Sequence, residues 1–129
     1  MACKRAKFLF PLLCALLLFA GCAKKVSAGD IAGKTYVYEK PGFGGNFTVT
    51  LDADGSSAYY EGLLSSYIGF GNWELDGDAL TVHDSWNGNV YNFRVENGEL
   101  VFIADGSSAF MFIDVSDGER FSPDDKTIN

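Results

Sequence analysis

From Gly33 onward, pairs of Asp or Asn with Gly divide the chain into short apolar runs, and this spacing restricts the folds it can adopt. The pairs are Asp54-Gly55, Asp76-Gly77, Asn87-Gly88, Asn97-Gly98 and Asp105-Gly106. Asp, Asn and Gly tolerate the positive φ angles that tight hairpin turns require. Short runs that recur about every 8–12 residues, with such turns between them, are typical of all-β sandwiches and barrels.

Eight of these runs are predicted strands, and no stretch after residue 33 has a helical period. They span 34–40, 46–52, 57–62, 70–75, 79–84, 89–95, 99–104 and 109–115. Since the connections are too short for parallel crossovers, the sheet should be an antiparallel meander. Closing such a sheet removes its edge strands. We therefore predict an all-β fold, a small antiparallel meander β-barrel of about eight short strands.

Alternation along the runs indicates which side chains face inward. Phe47, Val49 and Leu51 share one face, and Thr48 and Thr50 share the other. An eight-stranded barrel is just wide enough to be filled by its own side chains or to hold one small ligand. The many aromatic residues favour a filled interior. If a cavity exists instead, it should be lined by Tyr36, Phe47, Trp73 and Phe93.

The first 21 residues are predicted to be a lipoprotein signal peptide. Lys4, Arg5 and Lys7 precede an apolar run over 8–20, which is too short to span a membrane and typical of a secretory signal. The run ends in "LFAGC", which resembles the lipobox of bacterial lipoproteins, although Phe19 stands where that motif usually has Leu. Cys22 should then be lipidated. The alternative is ordinary cleavage after Ala28, which would give a secreted protein.

These assignments divide the chain into four parts: signal peptide 1–21, lipidated N-terminus and linker 22–32, barrel 33–121 and C-terminal tail 122–129. The two acyl chains of a lipoprotein's diacylglyceryl group suffice for stable anchoring. The expected location is the bacterial cell envelope, on the extracytoplasmic side of the membrane.

The charge of the chain argues against a nucleic acid partner. Removing 1–21 takes away three of ten basic residues and none of seventeen acidic ones, so the net charge falls from −7 to −10. Binding to phosphate backbones needs a basic surface. The remaining candidate partners are the membrane, through the lipid anchor, and either an extracytoplasmic protein or a small apolar ligand.

No pattern in the sequence indicates catalysis, a metal site or a cofactor. His83, Asp84 and Ser85 are consecutive, but neighbouring residues in a strand point to opposite faces, so they predict a polar cluster at a hairpin end rather than a triad. Zinc-ligand spacing is absent. The Asp residues near 52–61 do not fit the register of an EF-hand loop. We therefore expect a protein that is not an enzyme.

The apolar stretch 62–70 is open to two interpretations. It is either a lid that closes one end of the barrel or a binding surface, since exposed apolar loops often mark interaction sites. If it binds a partner, the expected contact residues are Tyr60, Leu63, Leu64, Tyr67 and Ile68.

The segment "ADGSSA" occurs twice, at 53–58 and 104–109. The residues around the two copies do not align, as those of a duplicated unit should. Both copies are therefore predicted to be turns that lead into an aromatic strand, one between the second and third strands and one between the seventh and eighth.

The run "YYEGLLSSYIGFGNWELDGDALTV", with "NFRVENGELVFIADGSSAFMFIDVSDGERF", resembles a small lipocalin-like domain of clostridial-type bacteria. In that family the domain occurs in lipoproteins and as an extracytoplasmic tail of some β-lactam-sensing antirepressor metallopeptidases. The resemblance covers about 34–121. It implies a β-barrel outside the cytoplasm and no particular ligand or reaction.

Two functions agree with these observations. The first is a membrane-anchored accessory or interaction module with a filled, non-catalytic barrel. The second is a lipocalin-like carrier or sensor of a small apolar ligand held in the barrel.

Overall fold

A computed structural model of the chain describes residues 25–39, 47–62 and 67–124. They form one closed, antiparallel β-barrel of eight strands, which confirms the predicted fold class. The elements are α1 (Ala28–Ile31), β1 (Lys34–Tyr38), β2 (Phe47–Leu51), β3 (Ser56–Tyr60), β4 (Ile68–Asp76), β5 (Ala79–Asp84), β6 (Val90–Glu96), β7 (Glu99–Ile103) and β8 (Arg120–Pro123).

Each strand pairs with the next one along the chain, as expected for a meander. The longest ladder joins β4 and β5, from Gly71↔Asp84 to Asp76↔Ala79. The barrel closes where the short β8 pairs with β7 on one side and with β1 on the other. The closing β1–β8 pairs are Tyr36↔Pro123 and Val37↔Ser122.

Because the strands run up and down, the connections gather at two ends of different character. The turns after β2, β4 and β6 lie at one end, named here the turn end. Asn97 and Gly98 both have positive φ angles, 53° and 78°, as a two-residue turn between β6 and β7 requires. The connections after β1, β3, β5 and β7 begin and end at the other end, the loop end. They are longer in sequence and comprise 39–46, 61–67, 85–89 and 104–119, of which 40–46 and 63–66 lie outside the described residues.

The turn end also carries a single turn of helix that the sequence did not predict. Immediately before α1, the backbone N–H of Ser27 donates to Oδ2 of Asp30 in the helix at 2.9 Å, which caps the helix start. The helix buries Ile31 in the core. After it, the N–H of Gly33 donates to the carbonyl of Leu51 at the end of β2. A short capped helix of this kind has too few residues to leave a periodic signal in the sequence.

The buried side chains of the described strands form one core cluster. Near the turn end it is aliphatic, with Ile31, Leu51, Leu80, Val95 and Leu100 buried. Toward the middle and the loop end it is aromatic, and the buried rings are Tyr36, Phe47, Tyr59, Tyr91, Phe93, Phe102 and Phe121. These rings meet mostly edge to face, for example Phe47 on Phe121 at 5.2 Å between centroids.

The eighth strand lies later in the chain than predicted. The apolar run 109–115 is not a strand, and the eighth strand is Arg120–Pro123 instead. The run belongs to the connection 104–119, which crosses the mouth of the barrel at the loop end. Phe110 packs into the mouth there, stacked on Tyr91 at 4.4 Å and edge-on to Phe47 at 4.6 Å. Within the run, Phe110 and Ile113 contribute to the core.

The two ADGSSA copies therefore behave differently. The first forms the turn before β3, as predicted, and its Asp54 accepts hydrogen bonds from the hydroxyl and the N–H of Ser56. The second copy is not a β7–β8 hairpin, so that prediction is wrong. Its Ser107 and Ser108 hydroxyls accept from the N–H groups of Asn92 and Val90, which places this copy beside β6.

Substitution of Gly71 tests the register of the closed sheet. A Cβ at Gly71 would overlap the backbone carbonyl of His83, which cannot move without disturbing the β4–β5 ladder. We expect Gly71→Ala to lower the free energy of unfolding by about 3 kcal/mol, at the upper end of overpacking costs. Urea denaturation followed by circular dichroism measures this change in unfolding free energy.

Gly29→Ala is the matched control, because the nearest atom to a Cβ there is 3.9 Å away and the φ angle is not positive. It should leave stability unchanged or raise it by up to about 1 kcal/mol. Equal urea midpoints for Gly71→Ala and the unsubstituted chain would contradict the register.

Candidate functional site

The loop end collects the chemically distinctive side chains of the described structure. Two buried carboxylates, Asp84 and Glu61, lie beneath it. Large apolar side chains are exposed above it.

Asp84 ends β5 with its side chain turned into the barrel. Its Oδ2 accepts hydrogen bonds from the hydroxyls of Tyr59, at 2.9 Å, and Tyr67, at 2.8 Å. Its Oδ1 accepts from the backbone N–H groups of Trp86, at 2.9 Å, and Asn87, at 3.3 Å. One carboxylate thereby joins the end of β3, the start of β4 and the 85–89 turn.

These bonds shift the pKa values of the groups that make them. Burial by itself would raise the pKa of Asp84, but the hydrogen bonds from Tyr67, Tyr59, Trp86 and Asn87 outweigh burial and the pKa is lowered. Burial and the hydrogen bond to Asp84 raise the pKa of Tyr67 to about 12. At neutral pH the cluster therefore consists of an ionised carboxylate and protonated phenols, and its hydrogen bonds are structural.

The network extends one step further across the interior. The Tyr91 hydroxyl donates to the Tyr59 hydroxyl at 3.4 Å, and Nδ2 of Asn89 donates to the Tyr91 hydroxyl at 3.3 Å. Burial is the main cause of the raised pKa of Tyr59. Asp84, Tyr59, Tyr91 and Asn89 thus form one hydrogen-bonded chain beneath the loop end.

Glu61 fastens the 104–119 segment across the mouth of the barrel. Its Oε1 accepts from the backbone N–H of Phe112 at 2.8 Å and of Ile113 at 3.4 Å. Ile113 is buried beneath this bond, and Phe110 fills the mouth beside it. The segment 104–119 covers the mouth, whereas the sequence analysis placed a possible lid at 62–70. Residues 63–66 of the predicted lid lie outside the described residues.

The residues predicted to contact a partner are placed as follows. Ile68 is exposed at the start of β4, and Tyr60 is half-buried at the end of β3. Tyr67 is half-buried and directs its hydroxyl to Asp84. Leu63 and Leu64 lie outside the described residues. Of the predicted cavity lining, Tyr36, Phe47 and Phe93 are buried in the packed core, and Trp73 packs against it with its Nε1 donating to the carbonyl of Asp52.

Five large apolar side chains are exposed at the loop end, and we name them the apolar rim. Their exposed fractions are Ile68 47%, Phe70 63%, Trp86 85%, Met111 71% and Phe112 40%. Sequence reasoning identified only Ile68. Phe70 could have been found from alternation, because it precedes Asn72 and Glu74 on one face of β4.

His83 and Asp84 point to opposite faces, as predicted. His83 lies on the outer wall with Nε2 4.0 Å from Glu74, while Asp84 is buried. Within 25–39, 47–62 and 67–124, no group of three or more His, Cys, Asp or Glu residues could hold a metal ion. No helix in those same ranges is long and apolar enough to cross a membrane.

A concave feature of the described surface lies at the turn end. It is an open groove of about 940 Å³ between the N-terminal segment and the turns after β4 and β6. Lys25, Val26 and Ile31 line one side, and Val95 and Gly98 lie among the residues opposite. The groove locates the N-terminal segment at the end of the barrel remote from the apolar rim.

Comparisons with known proteins do not identify the site. No protein-family model, curated protein or solved structure matches the chain. The candidate function therefore rests on the geometry of the two ends.

Replacement of Asp84 tests whether the buried carboxylate holds the loop end together. In Asp84→Asn one side-chain oxygen becomes an NH₂ donor that faces other donors, so we expect a loss of about 2–3 kcal/mol of unfolding free energy near pH 7. Because the folded-state pKa is lowered, the contribution of Asp84 is present above about pH 4 and is lost as pH falls through the folded-state value. The difference between the two proteins should shrink below about pH 4.

Asp76→Asn, at an exposed position beside the β4–β5 turn, is the control and should change stability by less than about 0.5 kcal/mol. Urea denaturation from pH 3 to 7 measures the unfolding free energy of the unsubstituted chain, Asp84→Asn and Asp76→Asn. A stability difference for Asp84→Asn that is constant over this range would refute the assignment.

Proposed function

We propose that the protein is a lipid-anchored lipoprotein of the bacterial envelope whose lipocalin-like barrel serves as a non-catalytic interaction module. The observation that supports this proposal is the aromatic packing at the loop end, where Phe110 lies against Phe47 and Tyr91 in the mouth of the barrel. A barrel filled by its own side chains interacts through its outer surface. The exposed apolar rim provides such a surface.

The positions of the two ends support an anchored module. The N-terminal segment reaches the barrel at the turn end, where Lys25 and Val26 line the groove. Cys22 precedes Lys25 by three residues, so a lipid there would hold the turn end toward the membrane. Six of the eight strands have five to seven residues and are about 17–23 Å long. The loop end would then face away from the bilayer.

The carrier function is the alternative, and it needs space that the side chains now occupy. Phe110 lies among Phe47, Tyr91 and Phe102, with ring centroids 4.4–5.4 Å from its own. A ligand of useful size needs about 300 Å³ or more. Such a ligand would have to displace the 104–119 segment and break the Glu61 hydrogen bonds. We therefore prefer the interaction module.

Lipidation of Cys22 is tested by mass. We expect the chain extracted from membranes to begin at residue 22 and to carry a diacylglyceryl group, because the apolar run ends at a lipobox-like sequence. Cys22→Ser should move the protein out of the membrane fraction. Cys14→Ser, within the predicted signal peptide, should not. A native product that begins at Gly29 would contradict lipidation.

The filled interior is tested by comparing two neighbouring residues of the same segment. Phe110→Ala should cost about 2–3 kcal/mol of unfolding free energy, somewhat below the cost for a fully buried Phe, because Phe110 is half-buried. Met111→Ala, at an exposed position, should cost less than about 0.5 kcal/mol.

Dye binding by Phe110→Ala and by the unsubstituted chain separates the interaction function from the carrier function. Binding of a small apolar dye should appear in Phe110→Ala, where the mouth is emptied, and should be weak in the unsubstituted chain. Strong binding by the unsubstituted chain, competed by fatty acids, would favour the carrier.

A further inference from the structure

We propose that the apolar rim binds a cationic, apolar-rich segment of another envelope protein. This inference rests on the proposed interaction function and specifies its surface and its partner. It follows from the exposure of the rim, the proximity of its members, the charge around it and its place relative to the anchor.

The rim is a group rather than a scatter of exposed residues. Isolated apolar side chains are ordinary on protein surfaces, but clustered ones mark interaction sites. All five exposed large apolar residues of the described structure lie in the loop-end connections or at the adjoining start of β4. None of them lies at the turn end.

Backbone contacts bring the parts of the rim near one another. The N–H of Ser85 donates to the carbonyl of Phe70 at 3.0 Å, which brings the Trp86 turn beside β4. On the other side of β4, Ile68 pairs with Tyr60, and the next residue, Glu61, accepts from the N–H of Phe112. β4 therefore lies between the Trp86 turn and the Met111-Phe112 part of the lid.

Charge indicates what kind of segment would bind. Four exposed carboxylates stand at the loop end: Glu39, Asp105, Asp114 and Asp117. The described part of the chain has four Lys or Arg residues, and none is there. Lys25 and Lys34 line the turn-end groove, while Arg94 and Arg120 form ion pairs with Glu96 on the barrel wall. An apolar surface with acidic surroundings is complementary to a segment that carries Lys or Arg beside apolar residues.

The same charge, together with the position of the rim, argues against a lipid surface as the occupant. Anionic headgroups would be repelled by the exposed carboxylates at the loop end. The proposed anchor also lies at the opposite end of the barrel. We therefore assign a protein segment to the rim.

Peptide titration tests the inference with the mature chain carrying Cys22→Ser. The probe is a labelled amphipathic peptide of about 14 residues built from Leu and Lys. We expect saturable binding by fluorescence anisotropy that weakens as salt increases. A Leu–Glu peptide of the same pattern and a Ser–Lys peptide of the same charge should each bind at least about tenfold more weakly.

Variants locate the binding surface. Phe70→Ser and Trp86→Ser, each checked for an unchanged circular dichroism spectrum, should weaken binding at least about tenfold. The pair Glu39→Gln with Asp105→Asn should weaken it several-fold. The control pair Asp76→Asn with Asp78→Asn makes the same change in net charge at the turn end and should have little effect.

The inference is overturned if the Leu–Lys peptide does not bind, and three further results would also overturn it. The first is unchanged affinity in Phe70→Ser and Trp86→Ser, and the second is equal weakening by the two charge pairs, which would reflect net charge alone. The third is binding to anionic phosphatidylglycerol vesicles that depends on Trp86, which would make the rim a lipid contact. If Cys22 is acylated and no peptide binds, this inference fails while the anchor stands. If peptides bind through the rim and Cys22 is not acylated, the anchor fails alone.

Discussion

The need to fill and close a small barrel at both ends governs this structure. Eight strands enclose a space that must be packed, and the strands alone leave both mouths open. At the turn end a one-turn helix inserts Ile31. At the loop end the connection between β7 and β8 inserts Phe110 and Ile113. Each closure uses a segment outside the regular sheet.

Closing the loop end with an irregular segment requires partners for its backbone, and the buried carboxylates provide them. A buried N–H without a partner costs about 1–3 kcal/mol, so the segment cannot cross the mouth unaided. Glu61 accepts from Phe112 and Ile113, and Asp84 does the same for the 85–89 turn while holding two tyrosines. Both carboxylates are therefore explained by closure, so their burial alone is not evidence of acid–base chemistry.

The parts of the fold that depend on neighbours in sequence could be predicted, and the parts that depend on distant contacts could not. Asn97-Gly98 and the alternation of Phe47, Val49 and Leu51 act locally, so the hairpin and the inward face were both identified. The run 109–115 is as apolar as a strand, and only Phe47 and Tyr91, far away in sequence, show that it covers the core. Likewise, Asp84 could be expected at a hairpin end, but nothing in the sequence pairs it with Tyr59 and Tyr67. At the candidate site, Ile68 was found because it lies in an apolar stretch, whereas Trp86 stands alone between polar residues.

The apolar rim is the feature that closure does not explain. Phe110 and Ile113 face the core, while their neighbours Met111 and Phe112 face outward, so one short segment serves both surfaces. The outward residues could be polar without loss of core packing, since the backbone bonds to Glu61 hold the segment whatever side chains Met111 and Phe112 carry. Phe70 stands in a similar position on β4, opposite an inner face where Gly69 leaves room for the Tyr59 ring. Stability thus accounts for the inner residues of these segments and not for the outer ones. Exposed aromatic side chains that stability does not require support the binding surface proposed for the apolar rim.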